Sequence, residues 1–289
     1  MAVADTTCEY VLDPTEPQSW GGSPGERCYI DRDALNEDGV WACPHEPADG
    51  QRRCWFHLPV GEKDDSEVAS AFVDAINDAL EAPDPKTRTR QLQFVGARFG
   101  TFDLSDSAPT LVADDVGIDL SYASVSGRFD WSGLTIALPF LYFIGTRFEA
   151  ETCFADVRFG NYVAFLATTF EGDADFESAI FDDEGDFRSA TFGQAAHFSG
   201  ASFADRADFS SVEFKGDADF GSVEIGGDGT FSRAKCRKDF RLTAARIRGD
   251  ADFRALKVYG ETDFYTLEIE GETTLEFAEF DDVDSSGLL

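Results

Sequence analysis

Between Phe143 and Phe280 a large apolar residue returns at alternating steps of five and six, so the chain repeats every eleven residues. The run begins Phe143, Phe148, Phe154, Phe159 and continues without a miss to Phe220, Ile225, Phe231 and Cys236. One altered unit follows, Asp239-Phe240-Arg241, yet the eleven residues from Cys236 to Ile247 are kept, and the series resumes through Phe253, Val258, Phe264, Ile269, Leu275 and Phe280. A unit this short cannot bury its apolar side chain alone. It must stack on copies of itself, and the chain is therefore expected to form a solenoid.

A second periodicity lies two residues before each large one, where Ala, Gly, Thr, Ser or Val stands: Ala174 before Phe176, Ala179 before Phe181, Gly185 before Phe187, Ala190 before Phe192. Residues two apart point the same way on an extended segment. Each unit thus reads as a short strand with one large and one small residue inward, followed by a corner. Asp175, Ile180, Asp186 and Thr191, between them, should point out.

This pattern resembles the pentapeptide-repeat family in a Phe-centred variant with alternating five- and six-residue units, as in Asp173-Ala174-Asp175-Phe176-Glu177-Ser178-Ala179-Ile180-Phe181. The resemblance covers roughly Leu92 to Phe280. It implies an all-β solenoid, a right-handed quadrilateral β-helix with four units per coil. Two repeats then make a coil of 22 residues, with coils stacked at about 4.8 Å and the Phe residues in axial ladders. Outward columns at that offset would read Asp175, His197, Asp219, Arg241, Asp263 on one face and Asp186, Asp208, Thr230, Asp252, Thr274 on the next. The other two read Arg147, Thr169, Thr191, Glu213, Lys235, Lys257 and Arg158, Ile180, Ser202, Glu224, Arg246, Glu268.

The repeat starts imperfectly at Leu92, with Phe94, Phe99 and Leu104, and a looser passage follows that contains Pro109 and Asp114-Asp115. Ile118, Leu120, Val125, Phe129 and Leu134 read as further inward residues. From Leu134 to Phe143 the spacing breaks again. That passage is either a bulged coil, the preferred reading, or an apolar patch used for contact.

Residues 61–91 are expected to form a capping helix and linker, with Val68, Phe72, Val73, Ile76 and Leu80 at helical spacing over 63–82, behind acidic Asp64-Asp65-Ser66-Glu67. Pro83 and Pro85 are expected to stop the helix. Placed directly before a solenoid, it would cover the open edge of the first coil. Residues 92–289 are assigned to the β-helix.

Residues 1–60 read as a separate head, rich in Pro, Gly, Trp and Cys. Cys54-x-x-His57 has a spacing common in zinc sites, and so short a segment has little core of its own, so a bound ion would supply much of its folding energy. The preferred set is Cys8, Cys43, Cys54 and His57, with Cys28 the chief alternate and His45 behind it. The competing reading is free thiols buried among Trp20, Trp41 and Trp55. If zinc binds, its role is structural, because no general base stands beside an open coordination position. Cys236 is expected inward in place of Phe, and Cys153 outward.

The formal net charge is -32, with Asp in excess of Glu and Arg in excess of Lys. Such a surface suits molar salt, where the Debye length falls to about 3 Å and hydrated carboxylates keep a protein soluble. A halophilic protein is expected, and nucleic-acid binding, which needs basic patches, is not. The longest apolar run, Leu134 to Ile144, is too short to span a bilayer, and the first ten residues lack a signal segment, so a cytoplasmic location is expected. The three histidines, His45, His57 and His197, sit in no catalytic motif, so no enzyme is expected.

What remains is a non-catalytic scaffold with a protein partner of unknown identity. The resemblance adds two alternatives. Some family members mimic DNA and inhibit type II topoisomerases, which would need an unbroken acidic stripe. Similar halophile proteins share the Trp41-Ala42-Cys43-Pro44-His45 and Arg53-Cys54-Trp55-Phe56-His57 head, and some continue into a membrane channel, which implies a soluble channel regulator here. An end-to-end homodimer through the C-terminal coil is also expected, since Leu288 and Leu289 alone could cap it.

Overall fold

The computed structural model describes residues 7–105 and 111–284. Pro109, Leu288 and Leu289 lie outside the described residues. From Arg98 onward the chain coils as a β-solenoid whose two- and three-residue strands stack in four parallel columns. Two columns are eight-stranded sheets, and the other two join into one 16-stranded sheet because Lys257–Asp263 runs through a corner without a break. The register follows the sequence period: Arg147 pairs with Thr169, Cys153 with Asp175, Arg158 with Ile180 and Ala164 with Asp186, each 22 positions on. All four outward columns expected from the sequence are present. The altered unit keeps register as well, with Arg241 paired between Asp219 and Asp263.

Because coils repeat at the strand spacing, equivalent rings meet face to face. Phe154, Phe176, Phe198 and Phe220 stack with centroids 5.0, 4.8 and 4.8 Å apart. Phe165, Phe187, Phe209 and Phe231 stack at 4.9, 4.8 and 5.2 Å. Rings of neighbouring columns meet edge to face, as in Phe187 with Phe198 at 5.3 Å and 89°. Both geometries are favoured by the aromatic quadrupole, which adds to the area buried. In the altered unit Phe240 takes the small inward position and Leu242 the large one, both fully buried, while Cys236 stands in place of Phe on the preceding face. A large side chain has moved by one slot and a small one has made room, which keeps core volume near constant.

The Leu134–Phe143 passage is a coil holding one extra residue. Arg147 pairs backward with Ser124, 23 positions earlier, instead of 22. Leu134, Ile136, Leu138, Leu141 and Phe143 are all buried, as a bulged coil requires, while Phe140 and Tyr142 stack on each other half-buried on the outward side.

Each eleven-residue repeat also carries one residue in the left-handed region. From Gly145 to Phe277 every eleventh residue has φ between 54° and 69°, including Ala167, Ser189, Arg233, Ala244 and Phe277. Bonds such as Ala245 N–H to Leu242 O (3.1 Å) close a turn whose third residue needs positive φ, a position that glycine fills most easily. Only two of these thirteen corners, Gly145 and Gly200, are glycine.

Outward residues are not all exposed. Asp186 and Asp208 point away from the core yet are buried, because Arg188 Nη2 lies 2.7 Å from Asp186 and Arg206 Nη2 2.7 Å from Asp208, and the guanidinium stems cover them. Their oxygens also accept the backbone N–H of Arg188 and Ser210. His197 is exposed and Cys153 half-buried, as their outward positions imply.

At the N-terminal end, α1 (Asp65–Glu81) lies across the first coil. The Asp64 carboxylate caps it by accepting from Ser66 N–H and Glu67 N–H, and Phe72 enters the solenoid core 4.6 Å from the Phe94 ring and 5.1 Å from Phe102. A second helix, α2 (Pro85–Gln91), follows, where the sequence reading has only a linker. Proline is tolerated at a first helical position, and Asp84 caps by accepting from Thr87 N–H, so Pro85 starts a helix instead of merely ending one. At the other end, Leu275 and Phe277 are 46% and 84% exposed, although Leu275 holds an inward position, because no described coil stacks beyond it.

Two substitutions separate ladder from corner. Phe198→Ala should lower unfolding free energy by about 3–5 kcal/mol through loss of a buried ring. Ala244→Gly should leave it unchanged or raise it by up to about 1 kcal/mol by relieving positive φ. Denaturant titration at fixed salt measures both.

Candidate metal centre

The head is organised by a two-stranded antiparallel ribbon, β1 (Val11–Leu12) against β2 (Trp41–Ala42). Its hydrogen bonds run on past the strands: Cys8 N–H to His45 O at 2.9 Å, Cys43 N–H to Tyr10 O at 3.1 Å. The ribbon thereby sets Cys8 and Cys43 side by side. A tight turn supplies the other two residues, with His57 N–H and Leu58 N–H both donating to Cys54 O at 3.0 and 3.1 Å. Two residues between Cys54 and His57 bring both side chains to the same side of that turn.

Cys8, Cys43, Cys54 and His57 come together with all ligand atoms within 4.8 Å of one another, and all four are buried. Cys43 Sγ is 3.7 Å from Cys54 Sγ, and His57 Nδ1 is 3.7 Å from Cys8 Sγ and 3.1 Å from Cys54 Sγ. A tetrahedral ion with S at about 2.3 Å and N at about 2.0 Å has ligand edges of roughly 3.5–3.8 Å. Most of these distances match that size.

The ring orientation points the same way. His57 Nε2 lies 2.9 Å from Val95 O, which can only accept, so the proton sits on Nε2 and Nδ1 turns a free lone pair toward the sulfurs. Tyr10 stacks on the imidazole at 4.0 Å and holds its plane. Cys54 N–H donates to Cys8 Sγ at 3.2 Å, a bond that favours thiolate. Hydrogen bonds from Cys43 and Cys54 bring Cys8 far below the ordinary thiol range, while those same contacts with Cys54 and Cys8, together with burial, push Cys43 up. Three thiols crowded around one bare imidazole nitrogen offer the donor set that suits a soft divalent cation.

The two alternates stand elsewhere. Cys28 is half-buried beside Tyr122, whose hydroxyl it contacts. His45 is wedged between Phe56 and Phe94, with ring centroids 4.8 and 4.9 Å away, and its Nε2 is 3.1 Å from Gln93 O. The tryptophans do not form one cluster: Trp20 rests on Tyr122 and Trp41 tilts toward His57. Sequence reasoning missed Val95 and Tyr10, which orient His57. Neither carries a motif, and a backbone carbonyl has no sequence signal.

The centre lies where the head meets the first coil. His57 bonds Val95, Arg98 N–H donates to Phe56 O at 2.7 Å, and Trp41 Nε1–H donates to Gln93 Oε1 at 3.1 Å.

Comparison with known proteins identifies the solenoid. Residues 187–235 match the model for pentapeptide repeats (9 copies). That matched segment lies within a β-solenoid whose four parallel strand columns and Phe ladders continue on both sides of it and which carries a Cys/His cluster at its N-terminal end. No curated protein matches the chain, and no solved structure does.

Burial draws the His45 imidazole down to about 4. The unfolded chain takes up a proton near the ordinary value of about 6.5, while the folded chain resists until about pH 4, so this group lowers stability as pH falls through that window. His45→Gln, which keeps a donor toward Gln93 O, should flatten the decline between pH 6.5 and 4 relative to wild type, as read by unfolding midpoints at matched metal content.

Proposed function

We propose that this chain is a non-catalytic scaffold, with a structural zinc ion in the Cys8/Cys43/Cys54/His57 centre and a protein partner recognised by the head or the solenoid faces. One observation carries the zinc reading: four buried donor atoms within 4.8 Å, with the imidazole lone pair turned inward. Three thiolates and an imidazole complete a tetrahedral shell and leave no position for a substrate or an activated water, which favours a structural ion. In that role the ion would tie Cys8 and Cys43 of the ribbon to the turn that bonds Val95 and Arg98, holding the head on the first coil.

The faces favour a scaffold over a DNA mimic. Arg147, Lys235 and Lys257 interrupt one column, Arg158 and Arg246 another, and Arg188, Arg206 and Arg254 pair with the aspartates of a third. An imitation of duplex DNA needs one negative charge per about 1.7 Å of axis, which these cations break up. No helix among the described residues is long and apolar enough to cross a membrane. The charge of -32 supports operation in molar salt.

Protein purified at high salt should contain one zinc per chain by mass spectrometry, and Cys54→Ser should lose it together with part of the thermal stability. Absence of zinc from fresh wild-type protein defeats the reading. Affinity capture from the source cell, with and without residues 1–60, should recover a partner. Its loss on deletion places recognition in the head, and its persistence places it on the solenoid.

A further inference from the structure

The turn that carries Cys54 and His57 leaves the carbonyls of Trp55 and Phe56 aimed at one spot, and Lys63 fills it. Its Nζ donates to Trp55 O at 2.7 Å and to Phe56 O at 3.3 Å, and it also donates to Arg98 O in the first coil. Phe56 O accepts Arg98 N–H as well. Trp55 and Phe56 are the two residues between Cys54 and His57, so a single ammonium clamps the segment that sets the separation of two donor atoms. Among the described residues, no other Lys or Arg side chain hydrogen-bonds to this turn. The position is costly for a lysine: burial draws its ammonium down to about 8.

A charge count gives that cost a purpose. Three thiolates and a neutral imidazole around a divalent ion carry one net negative charge, in a head interior with little water to solvate it. An ammonium at the edge of the same turn balances that charge, as groups outside the ligand shell commonly do in metal centres. We infer that Lys63 is the charge-compensating and positioning residue of the Cys8/Cys43/Cys54/His57 centre, fixing the ligand-bearing turn against the first coil and raising its affinity for a divalent cation. This rests on the metal-centre reading above.

The test uses the full-length chain, with zinc affinity measured by competition against a chromophoric chelator and unfolding midpoints measured with and without zinc. Lys63→Gln keeps N–H donors but removes the charge, and Lys63→Arg keeps the charge. Lys63→Gln should weaken zinc binding about tenfold or more, the usual effect of losing such a partner. Lys63→Arg should stay much closer to wild type. The unfolding midpoint of Lys63→Gln should fall more with zinc than without it, a difference that a purely structural lysine would not produce. Lys63→Met runs beside it as a second uncharged variant, so one folding defect does not decide the matter. Equal zinc affinity in all variants, equal falls in both midpoints, or failure of both uncharged variants to fold even in excess zinc would each overturn the inference. Wild type that binds no zinc overturns the metal-centre reading itself, and the first measurement distinguishes that case.

Discussion

Aromatic stacking at the strand spacing is the interaction on which this molecule depends. Parallel strands in successive coils lie about 4.8 Å apart, close to the separation at which two phenyl rings stack, so a Phe at one position per unit satisfies backbone and core together. The Phe198 ring shows the consequence: it lies 4.8 Å from both Phe176 and Phe220 in its own column and meets Phe187 and Phe209 edge on. Within the regular run, a spacing residue lost without a compensating bulge would turn the following rings out of their columns. That accounts for the preservation of eleven residues across the altered unit, where Phe240 and Leu242 exchange sizes but not places.

A solenoid has two ends, and the two are treated differently here. The N-terminal edge is closed by α1, with Phe72 inserted among Phe94, Phe99 and Phe102. It is then pinned by the Cys/His head, whose His57 and Lys63 reach the backbone of the first coil. Small heads cannot bury enough surface to be stable alone, and an ion shared by ribbon and turn would offset that deficit. At the far end Leu275 and Phe277 remain exposed.

Much of this was legible in the residues. Spacing alone predicted the eleven-residue repeat and the inward Phe residues, because an alternating strand leaves each side chain only two directions, while the 22-residue coil and its four outward columns came from the resemblance to pentapeptide repeats. Cys54-x-x-His57 marked the turn half of the centre for the same kind of reason: one tight turn brings positions three apart together. Choosing Cys8 and Cys43 over Cys28 and His45 was a preference among alternatives, since those pairings cross the chain. The left-handed corners were not legible, for Ala167, Arg233 and Phe277 bear no glycine signature. Nor was α2, whose Pro85 reads as a stop unless the Asp84 cap is seen.

By itself, then, the sequence determined the repeat and which side chains enter the core, since those follow from local periodicity repeated many times. Tertiary structure decided what depends on contacts between distant segments. It set His57 against Val95 so that Nδ1 faces the sulfurs, put Lys63 on the turn between Cys54 and His57, and buried the outward Asp186 and Asp208 beneath arginines. Periodicity specifies a direction for each side chain, but only packing specifies its neighbour.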